Sequence, residues 1–285
     1  MRPNNTVWDV VVIGGGISGS TAGLYLRRAG LRVLLLDRGK TSLGQCAFLE
    51  NYPGYPAGIG VRTFLELVHA QTEAAGCERL RERVVSLGRR EGLYEVETRE
   101  GETHRAARVL VATVYDVGYL RALREAELTG LLDENGIVRP EKVDTHGRCG
   151  IPGLYIVSPQ VGYESQAVIS AGFAARVALG IQSELREEEG MWPALARGVH
   201  WRVCKGTYGS DRWRRDVEAY FRSTVPEDCE LNESRVEEMI ERKIEELLAF
   251  QVPRSEARRL DKEAQLELLR GLDEDVIEAY LAERG

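Results

Sequence analysis

Three glycines at the spacing Gly14-x-Gly16-x-x-Gly19 stand between an apolar run and a helix-like segment. The chemistry of this spacing is phosphate binding. Gly14 makes a tight turn, Gly16 lets the backbone approach a pyrophosphate, and Gly19 lets helix and strand pack closely. The phosphates sit on the free N–H groups of the helix start, where Ile17 and Ser18 fall and the dipole favours negative charge. Asp37, followed by Arg38, comes about 20 residues beyond the glycines, where a carboxylate accepts hydrogen bonds from an adenosine ribose. These residues predict a nucleotide site of the dinucleotide type. The fingerprint alone does not choose among FAD, NAD and smaller adenylates.

The elements that position these residues are legible around them. Asp9 to Ile13 is a strand-length apolar run, residues 21–29 read as a helix, and a second strand over 31–36 ends in Asp37. The first ~40 residues thus form a βαβ unit. Residues 38–56 are rich in glycine, proline and polar types and predict a long irregular loop, a kind that is usually functional inside a compact domain. Residues 61–75 read as an amphipathic helix with Phe64, Leu65, Val68 and His69 on one side. Residues 83–87 and 94–98 read as strands, the second alternating like a half-exposed hairpin arm. Residues 108–113 form a continuous apolar strand suited to the middle of a parallel sheet.

Composition narrows the function classes. The 285 residues are 43% hydrophobic and 29% charged with a net charge of −7, so no basic character points to nucleic acid or an anionic membrane. No apolar run approaches the ~20 residues that span a bilayer. The N-terminus enters the first strand without a signal-peptide core, so a cytoplasmic protein is expected. The five cysteines (Cys46, Cys77, Cys149, Cys204 and Cys229) are scattered, with no CxxC pair, which argues against a disulfide framework or a zinc site. The four histidines (His69, His104, His146 and His200) show no metal spacing and read as surface or core residues rather than ligands.

A longer pattern lies beyond the glycines. Gly44-Gln45, followed by Glu50-Asn51-Tyr52-Pro53-Gly54-Tyr55-Pro56, resembles the GGQ…ENYPGFP loop of thioredoxin reductase and its flavoprotein relatives. Ala112-Thr113 resembles the family's ATG, with Tyr119-Leu120 where it has a tyrosine and a leucine. Residues 131–138 are similar to its late DENGYI segment, residues 151–157 to its VPGVFAAGD strand, and Gln166 to Gly172 to its RQAxTAAG helix start. The resemblance covers residues 8 to about 181. It implies a three-layer, Rossmann-like α/β FAD-binding domain of the thioredoxin reductase type. FAD would lie against Gly14–Gly19, Asp37, Arg38, Gly44, Gln45, Asn51, Ala112, Thr113, Gln166 and Ala167. It also implies a homodimer.

The departures from the family are as specific as the matches. The family carries an NADPH domain, with its own glycine fingerprint and a redox CxxC, between the ATG strand and the DENG segment. Here only Leu120 to Leu131 separate those landmarks, and no second fingerprint exists. Val114 replaces the glycine of ATG, Ser158-Pro159 replaces the Gly-Asp pair that holds the flavin chain, and Ser165 replaces an arginine. Proline offers neither donor nor carboxylate, and valine adds bulk where backbone and cofactor approach.

The expected function is therefore an FAD-dependent oxidoreductase without its own nicotinamide domain. Its electrons would pass to or from a partner protein or a small substrate. Cys46, beside Gln45, is the one thiol expected near the flavin ring, as a catalytic candidate. Its plainer reading is a small apolar filler. The alternative is a non-catalytic nucleotide-binding or scaffold protein with a degenerate flavin site.

Beyond residue 185 the character changes. Glu187 to Gly190 reads as a charged linker, and 186–285 as a helical C-terminal domain beside the FAD-binding domain of 1–185. Residues 233–250 place Val236, Ile240, Ile244 and Leu247 at helical spacing, with Ser234 and Glu237 as a capping box. Two further helices are expected over 255–270 and 273–283. Residues 201–215 mix aromatics with bases, which reads as cation–π packing and surface charge rather than a nucleic-acid site.

Overall fold

Val10, Val11, Val12 and Ile13 are almost wholly buried (0%, 0%, 0% and 3% exposed), which a strand covered on both faces requires. They close β1 (Val7–Ile13), the centre of a sheet in the computed structural model. The structure describes residues 6–114, 116–123, 128, 130–198, 203–204 and 209–284. They divide into two units, Met1–Gln182 and Ser183–Gly285.

In the first unit β1 turns into α1 (Ile17–Arg28), which leads to β2 (Val33–Leu36), parallel to β1 with Val10 opposite Val33. A short hairpin, β3 (Phe48–Leu49) with β4 (Ile59–Gly60), precedes α2 (Val61–Ala74). Then come β5 (Glu78–Leu80), β6 (Val84–Arg90), β7 (Leu93–Thr98), β8 (Thr103–Val111) and β9 (Leu154–Ile156). The strand order is β5-β2-β1-β8-β7-β6, with β9 also on β8.

Strand β8 divides its outer edge between two neighbours. Its first half, Thr103 to Ala106, pairs antiparallel with β7, and its second half, Val109 to Val111, pairs parallel with β9. The β6–β7 hairpin thereby leaves the parallel sheet and makes a separate layer. Period-two alternation sorts the core between the layers. Val11, Ile13, Leu34 and Leu36 pack with Val84, Leu87, Val96 and Leu120. Val12 and Leu35 face α1, where Gly19 and Gly23 allow close approach. The fold is α/β, with helices, sheet and hairpin in three layers.

The last helix of this unit, α3 (Ala167–Glu188), runs past the point where the units divide. The linker expected at 187–190 is therefore helical as far as Glu188, because Glu and Arg are good helix formers and nothing breaks the helix before Gly190. In the second unit follow α4 (Pro193–Ala196), α5 (Asp211–Ser223), α6 (Glu233–Ala249), α7 (Arg254–Arg270) and α8 (Glu274–Arg284). Trp192, Phe221, Val236, Met239, Ile240 and Ile244 make its core. Beside them Lys243, nearly fully buried, pairs with Glu246 at 3.1 Å, and Arg186 reaches the same carboxylate at 2.7 Å. Burial pulls the Lys243 pKa down against the opposing pull of Glu246.

The cap of α6 is Asn232, whose side chain accepts the Arg235 N–H at 2.9 Å, rather than the expected Ser234. Asn is at least as good a cap and lies two residues earlier. A two-residue parallel pairing, β10 (Val203–Cys204) with β11 (Gln251–Val252), adds strand where only helix was expected. Much of the aromatic and basic stretch 201–215, and His200, lie outside the described residues.

Candidate functional site

The C-terminal ends of β1, β2, β8 and β9 open on one groove of about 810 Å³, a volume typical of small-ligand sites. Here the parallel order reverses, with β2 leaving β1 on one side and β8 on the other, which is where open α/β sheets bind ligands. Of the residues singled out in the sequence, all but Gly19 and Asn51 line it.

The glycine loop is fixed by contacts that no side chain could share. Gly14 has φ +116°, and a Cβ there would sit 2.7 Å from the Ala112 carbonyl oxygen. On Gly19 a Cβ would fall 1.8 Å from the Gly14 carbonyl oxygen, so this glycine belongs to the packing beneath the groove. Gly15, to which the spacing assigns no role, would collide with Asp37, its Cβ 2.2 Å from Cγ. On Gly16 a Cβ would lie 2.8 Å from Thr41 Oγ1, filling the cradle. Gly16 caps α1 without a side-chain hydrogen bond, and the first turn holds no acid. The N–H groups of that turn thus lack the usual capping oxygen, the condition under which a helix start binds an anion.

Two groups missed in the sequence anchor this end. His69, on α2, donates its Nε2–H to the Gly15 carbonyl at 2.7 Å, and Ser20 Oγ donates to the same oxygen at 3.3 Å. The one sequence signal was its place on the apolar face of α2, which supported only a core reading. Arg79, on β5, donates from Nη2 and Nε to Asp37 Oδ2 at 2.9 and 3.2 Å, and from Nη1 to Glu73 at 3.1 Å. Burial lowers the Arg79 pKa, but the bonds to Asp37 and Glu73 outweigh it and the guanidinium is held above its ordinary value. The Gly39 N–H donates to Asp37 Oδ1 at 2.8 Å. Asp37, 5% exposed, is thus oriented by three bonds, leaving about one of its four lone-pair positions for a ribose hydroxyl. Arg38 lines the groove but spends its charge on Asp116 at 2.6 Å.

The other end is built from loops. A 3-10 turn, Ser42–Gln45, exposes Gly44 and Gln45, with Cys46 after them. Asn51 lies behind Gln166 rather than in the groove, its Nδ2 donating to Gln166 Oε1 at 2.9 Å. This aims the Gln166 amide at the start of α3, beside Ala167. Thr113 donates to the Asp116 carbonyl at 3.1 Å and shares a 2.9 Å bond with the Tyr119 hydroxyl. Val114 and Pro159 both line this end. Ser158 is buried and caps the next turn by accepting the Gln160 N–H at 3.3 Å.

Similarity to known proteins follows this geometry. The model of an NAD(P)-binding Rossmann-like domain matches residues 12–74. The thioredoxin reductase of Aquifex aeolicus is 32% identical over 115 residues, which are 40% of this chain and 36% of that protein. The bifunctional thioredoxin reductase/thioredoxin of Mycobacterium leprae is 36% identical over 131 residues, 45% of this chain and 28% of that protein. Solved thioredoxin reductases share the fold. That of Gloeobacter violaceus superposes with a TM-score of 0.52 at 18% identity, covering 69% of this chain and 100% of that one. The atypical enzyme TRi of Desulfovibrio vulgaris Hildenborough gives 0.53 at 16% identity, covering 64% and 99%.

Over those 115 to 131 residues the chain is similar to thioredoxin reductases. It spans only 28–36% of the length of those two curated relatives. The groove fits the ADP half of a dinucleotide through its cradle, its uncapped helix and Asp37. At the far end Pro159 and Val114 offer no carboxylate or added backbone room, so the fit to a flavin chain rests on Gln45, Thr113 and Gln166. Among the described residues no cluster of His, Cys, Asp or Glu could hold a metal ion, and no helix is long and apolar enough to cross a membrane.

Proposed function

We propose that the chain binds FAD in this groove and works as an oxidoreductase whose electrons come from, or go to, a partner. The observation that carries this reading is the Gly15–Asp37 contact, which joins phosphate cradle and ribose acid in one preformed surface. Bound there, FAD would supply the two-electron redox chemistry, and the protein would supply position and electrostatics. The helix start and Gly16 would hold the pyrophosphate, Asp37 the adenosine ribose, and Gln45 with Gln166 the polar edge of the ring system. Cys46 is exposed and lines the groove, whereas burial pushes the thiols of Cys77 and Cys149 up to about 12 and about 11. That makes Cys46 the candidate for thiol chemistry.

A partner is needed because the sequence between Leu120 and Leu131 leaves no room for a nicotinamide domain. The name of the Mycobacterium leprae relative joins a reductase to thioredoxin and supports a protein partner. We read residues 1–185 as the FAD-binding domain and 186–285 as a helical domain, in a cytoplasmic homodimer. Val114 and Pro159 favour a second reading, a nucleotide-binding protein without redox turnover. Protein purified without added cofactor separates the two. A band at about 450 nm, that of oxidised flavin, supports FAD. A colourless preparation that releases another nucleotide on heating supports the second, and one that releases nothing removes both.

A further inference from the structure

A second cavity of about 320 Å³ adjoins the groove beyond Asp37, and Arg38 and Lys40 line both. Arg81, Arg83 and Arg99 complete its basic wall. The carboxylates nearby are already engaged. Glu82 accepts from His104 at 2.8 Å, Glu100 accepts the Arg83 backbone N–H at 3.0 Å, and Asp116 is shared by Arg38 and Arg83 at 2.6 and 3.3 Å. Lys40, Arg81 and Arg99 form no ion pair among the described residues. Five cations thus face three carboxylates in a chain whose overall charge is −7, so the excess is local. Gly39, at φ +76°, has no side chain, and a Cβ there would stand 2.9 Å from Arg81 Nε. The guanidinium therefore lies directly on the loop between cavity and groove.

We propose that this cavity is a phosphomonoester site continuous with the adenosine end of the groove. Guanidinium groups bind phosphate through paired, charge-assisted hydrogen bonds, and here they converge from three strand ends and one loop. The chemistry is shared by two sources: a phosphate carried on the ribose of an adenine nucleotide in the groove, or a free phosphate. FAD carries no phosphate on the 2′ or 3′ oxygen of its adenosine ribose, so the cavity would distinguish among nucleotides. The proposal rests on the groove being an adenine-nucleotide site, not on that nucleotide being FAD.

Calorimetric titration of the full chain with ADP, ADP carrying an added 2′-phosphate, and inorganic phosphate tests it. The 2′-phosphorylated nucleotide is expected to bind about tenfold or more tighter than ADP. The double variant R81A/R99A should bring the two within about twofold while ADP affinity, which reports an intact groove, stays put. Saturable phosphate binding that this variant removes, without a preference for the 2′-phosphorylated nucleotide, assigns the cavity to the free ion. Equal binding of the two nucleotides with no response to phosphate overturns the proposal, as does a preference that survives in R81A/R99A. Loss of ADP binding in the unaltered protein would instead sink the groove reading, and the phosphate arm would still judge the cavity.

Discussion

At one end of the groove Gly15 lies so close to Asp37 that even a methyl group would not fit between them. At the other, Pro159 and Val114 line the groove and supply neither a carboxylate nor the backbone room of a glycine. The first end is held by backbone contacts, by His69 and by the Arg79 guanidinium, each fixed from a different element. The second depends on loop side chains, with Gln166 steadied by a single bond from Asn51. The difference teaches that affinity for the ADP portion and competence toward the flavin portion are separable here. Substitutions that act on one end should leave the other readable.

The largest effect is expected from Gly19→Ala. Its Cβ would meet the Gly14 carbonyl at 1.8 Å, a clash with backbone that cannot rotate away. It should cost about 3 kcal/mol in urea unfolding, the upper end for overpacking, and abolish binding of ADP and FAD alike. Arg79→Leu comes next. It leaves the buried Asp37 carboxylate without its cation, which should lower stability by about 2 kcal/mol and weaken ADP by about tenfold. If ADP affinity is unchanged, Arg79 is mere surface charge and the rigid end has been misread.

The first end was legible in sequence because its constraint is local. The Gly14–Gly19 spacing and the acid at Asp37 are separated by one helix and one strand, so periodicity alone places them together. Its supports were not legible. Arg79 sits on a three-residue edge strand too short to carry a pattern, and His69 looked like one more residue on an amphipathic face. At the second end, no local rule says that Asn51 meets Gln166, 115 positions away. The family resemblance placed both near the cofactor, but the structure sets Asn51 behind Gln166. The helix ends were misjudged for a simpler reason: Asn232 and Ser234 both cap well, and only tertiary packing selects between them.

Smaller effects sharpen the contrast. Val114→Gly combined with Pro159→Asp restores room and a carboxylate at the loop-built end. FAD should then bind about tenfold tighter while ADP is unaffected, since a charged hydrogen bond contributes about 1.5–3 kcal/mol. A gain for both ligands would show that the substitutions act on the fold. The mildest expectation concerns thiols. At pH 8 the buried Cys77 and Cys149 stay protonated, so a maleimide should reach Cys46 ahead of them, with Cys229 of the helical unit as internal reference. FAD should slow labelling of Cys46 about threefold or more, and ADP should not, because only the flavin portion reaches that end. Mass spectrometry of tryptic peptides reads both.

The central claim, that one preformed groove receives an adenine dinucleotide by its ADP portion, is tested most directly by competition. FAD fluorescence is titrated with the unliganded chain, and ADP is then added to the mixture. Saturable quenching at one FAD per chain, reversed fully by ADP, is the expected result. Quenching that ADP cannot reverse, or none at all, would contradict it.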